Sequence, residues 1–322
     1  MDLIYMNAEK SDVGVLRDFT LDLAYGLDEN SFELSTSLTN HVCKAGWYVY
    51  MEGSECGGKI TRIRVNTEQK QLTYCGDTWH GIIEHKILEP NAGEDYLIVS
   101  GEANLVLNSL IARMGLESLF KASPYTSGIK VENYQFRRYV EGYTGIKEML
   151  LSVGAKLKMQ FVDGFVWLSA ERIADYSNDD EFDSDQINFV VEKDYLPLNH
   201  LICLGKGELA ERTVLHLYCD ANGNISEKQT LFGTDEIVMT YENSNAADEA
   251  ELKTEGIKQF KELRNANESA DLSLDPSQEY DVLDIVGARE NVTGIFMAKQ
   301  IIKKIVKIED NKTKIEYKVG EE

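Results

Sequence analysis

The chain has 322 residues, 43% of them apolar, and a formal charge of −22 from 55 acidic and 33 basic side chains. That apolar content excludes a disordered chain, and no stretch approaches the roughly 20 apolar residues that span a bilayer. The acidic excess disfavours binding to a phosphate backbone, because such affinity comes largely from Lys and Arg releasing counterions.

In chain order, residues 1–94 read as a first β-barrel. Met1-Asp2-Leu3-Ile4-Tyr5 shows no basic region leading into an apolar stretch, so no secretory signal is expected. Strands are predicted at 3–6, 19–23, 31–34, 47–51, 59–65, 71–75 and 79–88, several alternating apolar and polar residues with a period of two. Gly26-Leu27-Asp28 and Gly57-Gly58 mark turns, and Pro90 closes the region. Strands near 170–190 are expected to complete this barrel.

Residues 95–170 read as an α+β insert. A helix over 102–114 places Val106, Leu110 and Met114 on one face, beside Leu107 and Ile111, and stops at Gly115. A second helix is predicted from Thr144 as N-cap, through Ile146, Met149, Leu150 and Val153, to Gly154. Residues 156–162 and 165–169 form a hairpin around Asp163-Gly164.

Residues 186–322 read as a second β-barrel. Strands are predicted at 187–191, 200–204, 213–218, 225–231, 270–274, 283–286 and 295–319, with a helix at about 245–265. The fold class is thus mainly β with an α+β insert: two tube-like β-barrel domains flanking, or interleaved with, the smaller module.

Two segments read as copies of one hairpin. GKITRIRVNTEQKQLTYCG (58–76) and QIIKKIVKIEDNKTKIEYKVG (300–320) both alternate Ile with basic residues, turn, and end a strand on an aromatic. Ile60 aligns with Ile302, and Leu72-Thr73-Tyr74 with Ile315-Glu316-Tyr317. A short apolar strand precedes each, Trp47-Tyr48-Val49-Tyr50 and Asp284-Ile285-Val286. Hairpins also look alike by chance; if the duplication is real, the chain carries two related β units, one near each end. The alternating bases Lys299 to Lys318 read as the solvated face of a strand pair.

Candidate chemistry is sparse. Gly205-Lys206-Gly207-Glu208-Leu209-Ala210 matches a dinucleotide fingerprint on paper, but a strand rather than a helix follows it at Arg212 to Tyr218, so it reads as a turn. Asp175, Asp179, Asp180, Glu181, Asp183 and Asp185 lack the glycine and distal glutamate of a calcium loop and read as an exposed connection. His41, Cys43, Cys56, Cys75 and His80 match no zinc spacing. The five cysteines, the fourth and fifth being Cys203 and Cys219, are an odd count without CxxC, which fits free thiols in a reducing cell. Asp77, His80 and His85 offer a base and its orienter, without an activated nucleophile motif. Trp47, Trp79 and Trp167 fit core or interface packing better than a sugar platform. No catalytic, cofactor-binding or metal residue is therefore expected.

Several stretches resemble the baseplate hub, or tail-associated hub, proteins of tailed bacteriophages and related injection machines. They are Thr78-Trp79-His80-Gly81-Ile82-Ile83, Ser100-Gly101-Glu102-Ala103-Asn104, Tyr143-Thr144-Gly145-Ile146-Lys147 with Gly154-Ala155-Lys156-Leu157, and Glu181-Phe182-Asp183-Ser184-Asp185. Leu204 to Leu209 and Tyr280-Asp281-Val282-Leu283-Asp284-Ile285-Val286-Gly287 extend the likeness, whose specificity lies in the order of the segments.

The resemblance implies two related tube-like barrels per chain around an α+β module, with three chains presenting six barrels in a pseudo-sixfold ring. It implies a non-enzymatic, homotrimeric virion protein at the tail tip or baseplate, made in the host bacterial cytoplasm. Such a hub joins the sixfold tail tube, or a distal tail protein, to a threefold spike or fibre, and genomic DNA passes its lumen without specific binding. No fibre-like or peptidoglycan-cleaving region follows the second β unit before Glu322, so a hub alone is expected, with spike or lysin on another polypeptide. The alternatives are a tail-associated cell-wall hydrolase, with an acidic pair in a cleft, and a carbohydrate-binding β protein with exposed aromatic platforms.

Overall fold

The computed structural model describes residues 2–27, 29–177, 189–192, 197–265, 269–272, 279–289, 292–294, 296–310 and 312–320. The first seven strands are β1 (Leu3–Met6), β2 (Asp12–Leu16), β3 (Phe19–Gly26), β4 (Ser31–Ser37), β5 (Tyr48–Tyr50), β6 (Gly57–Asn66) and β7 (Gln71–Thr78). Next come α1 (Trp79–Glu84), β8 (Ile87–Leu88), β9 (Ile98–Glu102), α2 (Ala103–Arg113), β10 (Phe120–Ala122) and β11 (Lys130–Gln135). β12 (Val140–Glu141), α3 (Gly142–Leu151), β13 (Ala155–Val162) and β14 (Phe165–Arg172) complete the first half. β15 (Phe189–Glu192), β16 (His200–Leu204), β17 (Val214–Cys219), β18 (Ile225–Ser226), β19 (Val238–Glu242) and α4 (Glu249–Asn265) follow. The chain then runs through β20 (Ser269–Leu272), β21 (Ile285–Arg289), β22 (Phe296–Glu309) and β23 (Lys312–Gly320).

Both ends of the chain share one ten-stranded sheet, ordered β2-β1-β5-β6-β7-β4-β3-β22-β21, with β23 on the other side of β22. Its pairings are antiparallel. No pairing among the described residues closes it into a barrel. Alternation sets its faces: in β4, Phe32, Leu34 and Thr36 point inward while Glu33 and Ser37 are exposed. Beneath lies a core of Leu21, Leu23, Phe32, Leu34, Ile60 and Tyr74, joined by Leu283, Val306 and Ile308 from the far end of the sequence. The two hairpins were expected in separate β units; they meet in one sheet because β3 pairs with β22 over Gly26 to Leu21 against Lys303 to Ile308.

The duplication is visible bond by bond. Each hairpin carries a one-residue bulge, between Ile60 and Arg62 in β6 and between Ile301 and Lys303 in β22. Ile60 therefore matches Ile301, one place before the residue the sequence comparison paired with it, while Tyr74 does match Tyr317. The backbone N–H of Ile60 donates to Trp47 O and that of Ile301 to Asp284 O, both at 2.8 Å. Gly46 N donates to Ile60 O and Leu283 N to Ile301 O, both at 2.7 Å. Gly46 (φ +86°) and Leu283 (φ +79°) share the left-handed conformation, so Leu283 holds a backbone shape its counterpart meets with glycine. The Tyr74 hydroxyl accepts from Cys43 N (3.2 Å) and Val42 N (3.2 Å), and the Tyr317 hydroxyl accepts from Tyr280 N (3.1 Å), the position matching Cys43.

The correspondence extends to whole strands. β5 pairs with the start of β6 as β21 does with the start of β22. β15 pairs antiparallel with β20 as β3 does with β4, and β20 runs beside β23 as β4 does beside β7. The chain is thus a repeat of β3-β4-β5-β6-β7 as β15-β20-β21-β22-β23.

Because Tyr74 serves two donors, one buried and one partly buried, Tyr74→Phe is expected to cost about 1–3 kcal/mol, and Tyr317→Phe about 1 kcal/mol, in urea unfolding. Equal and negligible losses would mean that water replaces both hydroxyls.

Two modules interrupt the repeat. The first follows β7, where 79–88 was expected to be a strand. Only Ile87 and Leu88 of it are a strand, β8; before them Thr78 caps α1, its hydroxyl accepting from Gly81 N, and Trp79 and Ile83 are buried on one helix face. Likewise α3 begins at Gly142, with Glu141 and not Thr144 at the N-cap position. The three-stranded sheet β10-β14-β13 packs α2 and α3 over a core including Leu107, Leu110, Ile146, Met149, Phe161 and Val166, continuous with Tyr48 and Tyr50 of β5. The second module, β16 to α4, stands where the short β3–β4 turn stands in the first repeat. Expected as part of the second barrel, its strands form a sheet of their own, ordered β18-β17-β16-β19, with Leu201, Cys203, Leu217, Leu252 and Phe260 at its core.

Candidate functional site

The sequence-predicted chemical candidates are dispersed. Gly205 to Ala210 connects antiparallel β16 and β17 through a 3-10 turn, Leu209–Glu211, and opens no α-helix. In the acidic run, Asp175 accepts from Ser177 N; Asp179 to Asp185 lie outside the described residues. Cys43 is buried and its thiol is pushed up to about 12 by burial, Cys56 up to about 11, and Cys75 faces Glu33. No group of three or more metal-ligating side chains occurs among the described residues. His85 pairs with Asp77 at the surface (3.4 Å), while His80 turns inward and away from that pair. Trp79 is fully buried, Trp47 stacks on Tyr5, and Trp167, half-buried, donates to Val162 O.

What the fold does assemble is a buried charge cluster where the first repeat, the α+β module and the second repeat meet. Lys156 and Lys158 stand two apart on β13 and so share a face. Lys156 Nζ donates to both Asp284 oxygens (2.7 and 2.8 Å) and to Asp281 Oδ2 (2.8 Å), and Lys158 donates to Asp281 Oδ1. Asp284, 1% exposed, also accepts from Ala174 N and Asp281 N. Glu55 accepts from the Tyr25 hydroxyl (2.6 Å) and lies 3.2 Å from His80 Nε2, whose ring stacks on Tyr25 at 4.3 Å. Lys304 of β22 pairs with Glu279.

Burial raises the carboxyls of Asp281 and Glu55, but the lysines beside Asp281, and His80, Lys304 and Lys158 beside Glu55, outweigh it and hold both below the usual carboxylate range. Burial lowers Lys156, Lys158 and Lys304, and the surrounding acids more than reverse it.

A carboxyl depressed on folding contributes stability that is present above its unfolded pKa of about 4 and lost as pH falls through the folded value. The melting temperature is therefore expected to hold from neutral pH to about pH 4 and to drop below it, less steeply in Lys156→Met. An unchanged melting temperature down to about pH 2 would contradict this. Sequence reading missed the cluster; its one local signal was the Lys156-Leu157-Lys158 alternation.

Beside it a cleft of about 1020 Å³ opens, lined by Glu52, Glu55, Lys158, Gln160, Trp167 and Glu171 among others. These groups can bind cations or polar ligands. The cluster itself, a ring of opposed charges with each acid held by donors, serves to fix three segments against one another.

No family model matches the chain, and no curated protein matches it in sequence. Solved structures do match in fold. A 43 kDa tail protein of prophage MuSo2 from Shewanella oneidensis aligns over 100% of this chain and 98% of its own, with TM-score 0.57 at 8% identity. The prophage tail protein gp18 from Listeria monocytogenes EGD-e aligns over 100% and 95%, with TM-score 0.53 at 14% identity. A tail protein from Neisseria meningitidis MC58 aligns over 100% and 96%, with TM-score 0.52 at 13% identity. The chain has the fold of these tail proteins along its whole length.

Proposed function

We propose that this chain is a structural, non-enzymatic tail protein: a homotrimeric hub at the tail tip or baseplate of a virion. The observation that carries the reading is the internal repeat. Two quasi-equivalent β units in one chain let three copies present six similar units, matching a sixfold tube on one side and a threefold spike or fibre on the other. The shared fold with tail proteins supports it. The tube-like barrels of the reading would close only on assembly. Tail tube or distal tail protein and spike or fibre would be the partners, and genomic DNA would pass the lumen, where the net charge of −22 disfavours sticking.

Incubation with purified peptidoglycan separates this reading from the hydrolase alternative, since the cleft holds Glu55 and Glu171. The hub reading predicts no release of soluble fragments. Release that Glu55→Gln or Glu171→Gln abolishes would replace it with an enzyme.

A further inference from the structure

We propose that the outer edge of β6 pairs antiparallel with the free edge of β15 in a second copy of this chain. The inference rests on the hub reading and specifies its interface. Within one chain, the two repeats join where β3 covers Lys303 to Ile308 of β22. The repeat turns that observed contact into a template: the counterpart of β22 is β6, and the counterpart of β3 is β15.

Both counterparts have an edge to spare. β5 covers β6 only at Gly57, Gly58 and Lys59, so Arg62 to Asn66 have β7 on one side and no strand on the other among the described residues. These are the positions that match Lys303 to Lys307, which β3 covers. β15 pairs with β20 and with no other strand among the described residues. One internal junction uses β3 and β22; what is left over is a donor edge and an acceptor edge on different repeats. A contact of this kind is head to tail, and it closes a ring in which internal and intermolecular junctions alternate. An unpaired, proline-free edge is a ready template for such addition.

Charge follows the same plan at one of the two junction lysines, Lys303, whose counterpart is Arg62, while Lys307 is matched by the neutral Asn66. In the internal junction, Asp22 stands opposite Lys307 and Glu29 pairs with Lys303. β6 brings exposed Arg62, the counterpart of Lys303, and Arg64, which pairs with Glu33 of its own chain, and the sequence of β15, Phe189-Val190-Val191-Glu192, contains an acid and no base.

Cysteine variants of the full chain test this. Arg64→Cys protein is mixed with Val190→Cys or with Val191→Cys protein and treated with a short bismaleimide. The expected result is an intermolecular product that requires both partners of at least one mixture. Arg64→Pro, checked for native circular dichroism and melting temperature, is expected to shift the oligomer to a mass three times smaller. A closed oligomer in which neither mixture cross-links overturns the pairing and leaves the hub reading standing. So does one that dissolves on Val13→Asp in β2, whose valines are also exposed, and not on Arg64→Pro. A wild-type chain that is monomeric at every concentration removes both.

Discussion

Replacing Asp284 with alanine is expected to destabilise the chain by about 3–5 kcal/mol, the range for a buried ion pair that loses one partner. The carboxylate is 1% exposed and takes four hydrogen bonds, two from Lys156 Nζ and one each from Ala174 N and Asp281 N. Without it Lys156, itself 5% exposed, keeps Asp281 as its one partner among the described residues. The Lys156→Met/Asp284→Ala double variant should lose less than the sum of the two single changes, because the stranded charge goes with its partner. Urea unfolding measures all three. A single-variant loss below about 1 kcal/mol would mean that the cluster is solvated and does not clamp the three segments.

Gly26→Val is expected to separate the two repeats. At Gly26 (φ +141°) an added Cβ would lie 2.2 Å from Ile302 O and 2.7 Å from Lys303 Cα, which are backbone atoms and cannot rotate away. Overpacking costs about 1–3 kcal/mol and the strained backbone about as much again, so a total of about 2–6 kcal/mol is predicted. The change falls at the bulge of β22, where β3 and β22 first meet, so the damage should be local to that junction. Hydrogen exchange should show β22 amides facing β3 losing protection while α2 and α3 keep theirs. Uniform loss across all elements, or none, would contradict the β3–β22 junction as the link between repeats.

Much of the β architecture was legible because alternation is local. The Ile-rich strands, the hairpin tyrosines and the Trp47 and Asp284 strands were matched correctly from residues alone. The register was set one residue off at Ile60, because Ile301 and Ile302 are consecutive and the sequence alone does not say which of them faces the core as Ile60 does. Trp79 to Glu84 misread as a strand, while Ile87 and Leu88 do form one, because a short apolar run suits either structure; the informative signal was Thr78, a capping residue. Sheet membership was harder. Strands 200–204 and 213–218 look locally like those of the repeat, and only long-range pairing separates them from it.

The charge cluster was the least legible feature. Lys156 and Asp284 are 128 residues apart, and nothing in either segment announces the other. Asp281 and Asp284 lie in a stretch noticed for its family likeness, without any sign that their carboxylates are buried. The chemical candidates taken from spacing alone, the glycine-rich turn and the dispersed cysteines and histidines, are not brought together, since spacing fixes composition and leaves convergence to the fold.

Chains of two repeats each are expected to assemble in threes. Light scattering of the purified protein across a concentration series tests it most directly. A mass near three times 36.4 kDa, with ring-shaped particles in micrographs, is the predicted result. A mass of one chain at every concentration, or a closed dimer or tetramer, would contradict it.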